Sequence, residues 1–135
     1  MRPAPVALEH AVEPRDDLTP EQVETWVRQN AAPGGVVVVM QAQRQVREYF
    51  LDEIASLNLD KRRLTLTRYG RFSLAGRSLD VPKNALMLCV PTADMIAAAT
   101  TGRTWLNGRL AYRRLLSLQE KRLAGRFAGP GTILS

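Results

Sequence analysis

The stretch KRRLTLTRYGRFSLAG, Lys61 to Gly76, decides how this chain folds. Leu64, Leu66, Phe72 and Leu74 share one parity; Arg63, Thr65, Thr67, Tyr69, Arg71 and Ser73 share the other. Successive strand residues point to opposite faces, so one face is apolar and the other carries arginine, hydroxyls and an aromatic ring. Upstream, Val46 to Leu59 also has a period close to two, and Asn58-Leu59-Asp60-Lys61 has turn composition. The pattern predicts an antiparallel hairpin between residues 47–58 and 62–74, with Gly70 at a bulge or bend. Asp52 and Glu53 are adjacent carboxylates, but neighbours on a regular strand face apart and make no close dyad.

Working outward toward the N-terminus, Val36 to Met40 is a short β-branched run, read as a buried strand. Before it, Thr19-Pro20-Glu21-Gln22 has the spacing of a capping box with proline at the first helical position. Val23, Trp26 and Val27 then make one apolar stripe, and Ala32-Pro33-Gly34-Gly35 ends the helix near Asn30. Toward the C-terminus, Asp80 to Asn84 reads as a loop and Leu86 to Val90 as a central strand apolar on both faces. A helix begins at Pro91-Thr92 and closes at Gly102.

Trp105-Leu106-Asn107-Gly108-Arg109-Leu110 admits two readings. Asn-Gly between apolar residues signals a hairpin turn. The helix formers of RLAYRRLLSLQEKRL instead favour a helix from Leu110 to about Ala124. That helix would gather Tyr112, Leu115, Leu116, Leu123 and Phe127 on an apolar face, with Arg113, Arg114 and Lys121 opposite. The expected fold is α+β: a small antiparallel sheet or partly open small barrel, of the OB, Sm or SH3 kind, with one N-terminal helix and one or two C-terminal helices. The expected division is a Pro-containing lead-in over 1–18, a core domain over 19–108, a basic helix over 109–127 and a flexible tail over 128–135.

A chain of 135 residues suits one domain with its own core. The single cysteine, Cys89, excludes an internal disulfide, and apolar neighbours read it as a buried thiol. Its chemistry suits a reducing, cytoplasmic compartment. The one histidine, His10, lies in a Pro-rich segment, so neither a Cys/His metal site nor a histidine-based triad is expected, nor is a cofactor. The longest uncharged apolar runs, Val36–Met40 and Ala85–Val90, are far short of the roughly 20 residues a bilayer span needs, so no membrane partner is expected.

Charge is distributed in blocks. Residues 60–83 carry seven basic and two acidic side chains, and residues 103–135 carry seven basic and one acidic, within a net charge of +6. Residues 1–33 carry six acids against three bases. Such asymmetry suits a polyanion met by one face. No phosphate-loop or Gly-rich dinucleotide motif occurs. Tyr69-Gly70-Arg71-Phe72 departs from the RNA-recognition-motif strand by placing arginine where an aromatic belongs. Ser73-Leu74-Ala75-Gly76, after its run of arginines, faintly resembles a later strand of PilZ-type cyclic-dinucleotide domains. Arg71 stands where that family has an acidic residue or asparagine, and the arginine spacing differs.

Two functions are therefore expected as alternatives. The first is non-catalytic binding of single-stranded DNA or RNA with weak sequence preference. Lys61, Arg62, Arg63, Arg68, Arg71 and Arg77 would meet phosphates, Tyr69 would stack on a base, and Arg113, Arg114 and Lys121 would assist. The second is an assembly subunit, self-associating or docking on a protein partner through Leu115, Leu116, Leu123 and Phe127.

Overall fold

A computed structural model of the chain describes residues 13–14, 18–81 and 85–126. Most of the expected lead-in, the tail, His10 and Phe127 lie outside the described residues.

Helix α1, Pro20–Asn30, starts as its sequence dictates. The Thr19 hydroxyl accepts from the Gln22 amide at 3.2 Å and the Gln22 side chain accepts from the Thr19 amide at 2.9 Å. Both donors would otherwise be orphans of the first turn. Its stripe buries Val23 and Val27, each worth about 1.5–3 kcal/mol of hydrophobic stabilisation.

Strands β1, Val36–Gln43, and β2, Val46–Asn58, form an antiparallel hairpin along the whole of β1, from Val36 opposite Glu53 to Gln43 opposite Val46. Arg44 and Gln45 make its two-residue turn with φ of 55° and 77°, left-handed at both positions as a tight hairpin demands. The predicted pairing of the 47–58 region with the next strand is present. The stretch 62–74 is not one strand, however. It is itself a hairpin, β3, Arg63–Leu66, and β4, Gly70–Ser73, folded at Thr67–Tyr69. The alternation survived this because Leu64 lies opposite Phe72, so parity is kept across the turn. Leu64, Leu66, Phe72 and Leu74 are all buried, as the pattern requires.

Strand β5, Leu86–Cys89, pairs antiparallel with β1, giving the order β4-β3-β2-β1-β5. It ends this path rather than sitting centrally. The sheet curls into a half-barrel, and residues 76–79 span its gap: Ser73 N–H bonds Arg77 C=O at 2.8 Å and Leu88 N–H bonds Gly76 C=O at 2.9 Å. Gly76 is required there. Its φ is 98°, and a Cβ would fall 2.7 Å from the Leu88 carbonyl oxygen. The inside of the curl, with Val37, Val39, Ile54, Leu64, Phe72, Leu74 and Leu88, is one core, covered by α1 through Val23 and Val27.

The outer face of β1–β2–β5 carries a second core. Helix α2, Ala93–Thr101, capped by Thr92 and closed by Gly102 at φ 70°, brings Met95, Ile96, Ala98 and Ala99 onto Val38, Leu51 and Cys89. Strand β6, Arg103–Leu106, pairs with the first part of β2 and buries Trp105 edge-on against Tyr49 at 5.8 Å.

The expected helix from Leu110 is replaced by strand β7, Arg109–Arg113, paired with β6. Asn107 and Gly108, at φ 53° and 80°, form the turn. Local hairpin chemistry and the open ladder of β6 outweigh helix propensity, a preference of under 1 kcal/mol per residue. Helix α3 is short, Leu118–Gly125, and starts with a capping box between Ser117 and Glu120. It packs through Leu123 on the second core. Among the described residues no helix is long and apolar enough to cross a membrane.

Candidate nucleic-acid interface

Cross-strand pairing places one row of side chains around the outside of the half-barrel. Asn58 pairs with Arg63, Arg63 with Ser73, Arg77 with Met87, and Met87 with Met40. The Ser73–Arg77 hydrogen bond joins the two halves. Directly paired residues share a face. Their neighbours Leu64, Leu74 and Leu88 point into the core, so Arg63, Ser73 and Met87 point away from it. Beside this row lies Ser56–Thr65–Arg71.

Carboxylates select which cations of this surface are available. Arg62, at φ 53°, turns toward α1 and donates to Glu24 through Nη2 at 2.6 Å and Nε at 3.1 Å. Glu24 also accepts from Arg28 at 3.0 Å. The Arg62 guanidinium, aided by Arg28, holds the Glu24 carboxyl below the usual carboxylate range. Arg71 is clamped by Asp80, with Nη2 at 2.7 Å, Nε at 3.0 Å and its amide at 2.8 Å, and these bonds lower the Asp80 pKa. Lys61, Arg63 and Arg77 have no carboxylate within ion-pair distance among the described residues.

A cleft of about 450 Å³ opens on the row, lined by Pro20, Ser73, Ala75, Gly76, Arg77 and Met87. Its wall is largely carbon. The Ser73 hydroxyl accepts from the Arg77 amide at 3.2 Å and keeps its own proton to donate.

Two of the other predicted cations, Arg114 and Arg68, are engaged by the protein's own side chains. β2 pairs with β6 as far as Glu48 and with β3 from Ile54 onward, and Glu53 C=O still accepts from Thr67 N–H at 2.9 Å, leaving Tyr49 to Asp52 outside the ladder on that side. Side chains fill the interval. Arg114, expected on a solvated helix face, follows β7 and is only 14% exposed. It donates to Tyr49 O at 2.7 Å, grips Glu120 through two bonds of 3.0 and 2.7 Å, and stacks 4.1 Å from the Phe50 ring centre. Glu120 is 1% exposed. Burial opposes its ionisation, but the Arg114 guanidinium and the Ser117 amide outweigh that and hold it below the usual carboxylate range.

Arg68 sits 3.4 Å from Glu120 and 5.1 Å from the Tyr69 ring centre. The Tyr69 ring in turn packs 5.5 Å from that of Phe50. Tyr69 is half-buried, and burial pushes its phenol up to about 12. Asp52, fully buried, gathers the turn between β3 and β4, accepting from Thr67 Oγ1 at 3.0 Å and from the amides of Arg68 and Tyr69 at 3.1 and 2.9 Å.

Of the ten predicted residues, Arg63 and Arg77 therefore share the outer row, with Lys61 exposed at the turn leading into it. Arg62 and Arg71 border it in ion pairs. Arg68 and Tyr69 lie at the opposite end of the β3–β4 hairpin, joined to the Arg114 network. Arg113 is exposed on β7, and Lys121 is exposed on α3. The proposed docking face is not formed as expected either: Leu123 is buried, Leu116 is half-buried, and Leu115 precedes the helix.

Sequence reasoning missed Asp52, Glu120 and the two methionines of the row. Only Glu120 had a local signal, its capping-box spacing from Ser117. Among the described residues no group of His, Cys, Asp and Glu side chains is arranged to hold a metal ion. No protein family, curated protein or solved structure matches this chain.

Proposed function

We propose that the protein binds single-stranded nucleic acid, DNA or RNA, with weak sequence preference and no catalytic step. The strand would run along the outer row, its phosphates on Lys61, Arg63 and Arg77. The observation that carries this reading is the row itself: two arginines flank a serine on one face, and no carboxylate among the described residues neutralises them. Ser56, Asn58 and Thr65 add hydrogen-bonding groups of the kind that contact phosphate and sugar.

Fluorescence anisotropy with labelled single-stranded DNA, single-stranded RNA and duplex DNA, across a salt series, tests it. Three phosphate contacts give a log–log salt slope of about −2 on single strands. Absence of binding to any of the three at low salt overturns the proposal.

The assembly reading is favoured by one separate observation. Leu115 is 94% and Leu118 81% exposed. The Arg114–Glu120 pair and the Ser117 cap fix the segment between them, so these leucines are held outward rather than folded onto the core. Light scattering over a concentration series checks it: a rising mass that Leu115→Ser with Leu118→Ser abolishes supports assembly, and a constant monomer mass removes self-association.

A further inference from the structure

We infer that the cleft on the outer row is a nucleobase site, taking one unstacked base whose neighbouring phosphates lie on Arg77 and Arg63. This rests on the nucleic-acid reading above and adds to it a part of the ligand other than phosphate. The volume, about 450 Å³, falls within the range of small-ligand pockets. The lining matches a base in both respects that matter. Pro20, Ala75, Gly76 and Met87 offer apolar surface for a flat ring, and the polarisable Met87 thioether tolerates any base. Ser73 and Arg77 are the polar groups at the wall, a donor for a base edge and a cation for a phosphate.

Charge complementarity chooses the occupant. Arg77 lines the cleft, Arg63 lies across from Ser73, and no carboxylate answers either among the described residues, so an apolar group entering here brings its own negative charge. A base attached to a phosphodiester has that composition. It also gives Met87, half-buried and paired with Arg77, a ligand surface to cover. The same chemistry is offered by a single strand or by a free nucleotide.

The test compares labelled dT12 with an abasic chain of equal length and phosphate number, using the full chain. The expected result is that dT12 binds about tenfold more tightly, the typical value of one stacked base. Ala75→Leu, which fills the cleft, should bring dT12 down to the abasic level and leave abasic binding unchanged. Met87→Ala, a milder change, should narrow the gap in the same direction. Retained cooperative unfolding in each variant shows that the fold is intact. Competition with thymidine monophosphate separates the sources: displacement of dT12 at micromolar concentration supports the cleft as a free-nucleotide site, and displacement only at millimolar concentration supports the strand. Equal binding of dT12 and the abasic chain overturns the base site while leaving the phosphate contacts standing. Binding of neither chain overturns the underlying reading as well.

Discussion

Two sets of arginines, drawn from sequence blocks of similar charge, have opposite roles in this molecule. Arg63 and Arg77 project from the outer row with no carboxylate opposite them among the described residues. Arg114 is half-buried, bonded twice to Glu120 and once to the Tyr49 carbonyl, and it fills a gap in the sheet edge. The difference lies in the acids, not in the arginines. Glu120 reaches Arg114 and Arg68, and Glu24 reaches Arg62 across 38 residues of sequence. A basic block is thus a stock of cations, and the fold's carboxylates decide which of them remain available to a partner.

The comparison is broken most forcefully at Glu120. Glu120→Ala removes both carboxylate hydrogen bonds of the part-buried Arg114 guanidinium and leaves it Glu48, 3.8 Å from its Nε, as counter-ion, so a loss of about 1–3 kcal/mol is expected in urea unfolding. Replacing both partners, Arg114→Met with Glu120→Leu, should return stability close to that of the parent, because the desolvation cost of two charges disappears together. Nucleic-acid affinity should be unchanged in the double variant. A weakened affinity would move Arg114 back into the interface.

Next comes Asp52→Ala. It strips acceptors from the Arg68 and Tyr69 amides in a part-buried turn, and about 1–3 kcal/mol is expected, read as a lower urea midpoint. On the other side of the comparison, Arg63→Ala with Arg77→Ala should leave stability within about 0.5 kcal/mol. It should make the salt slope shallower by about 1 to 2 and weaken binding to all sequences alike. A variant that binds as the parent does would show that the row is a solvated face.

Two smaller effects sharpen the contrast. The Glu120 pKa is depressed in the folded state, so its contribution is fully present above the unfolded carboxylate value of about 4.3 and is lost as pH falls through the lower folded value. Acid unfolding of the parent should therefore carry a component below about pH 4.3 that the Arg114→Met, Glu120→Leu variant lacks. Tyr69 should remain a phenol through the range near 10 where a free tyrosine ionises, seen as a delayed rise in phenolate absorbance toward its value of about 12. Tyr69→Phe should change nucleic-acid binding little, since the ring already packs between Phe50 and Arg68.

Much of the fold was legible locally. The α1 start, the buried strand at Val36–Met40, the inward set Leu64, Leu66, Phe72 and Leu74, the buried Cys89 and the α2 closure at Gly102 all follow from capping, parity and glycine conformations, which act over a few residues. The reading failed where two local signals competed. From Arg109 onward helix formers and an Asn-Gly turn point to different structures, and only the presence of β6 as a pairing partner resolves them. It failed in a second way at Thr67–Tyr69, where a tight hairpin preserves parity and so hides itself inside an unbroken alternation.

By itself the sequence determined the fold class, the two amphipathic surfaces of the hairpin region and the unequal spread of charge, because side-chain period and composition are properties of neighbours along the chain. The tertiary structure alone decided which cations face solvent, that Ser73, Arg77 and Met87 share one cleft, and that Glu120 and Asp52 are buried acceptors. Those outcomes depend on residues far apart in sequence meeting across a curled sheet, and no local period encodes such a meeting.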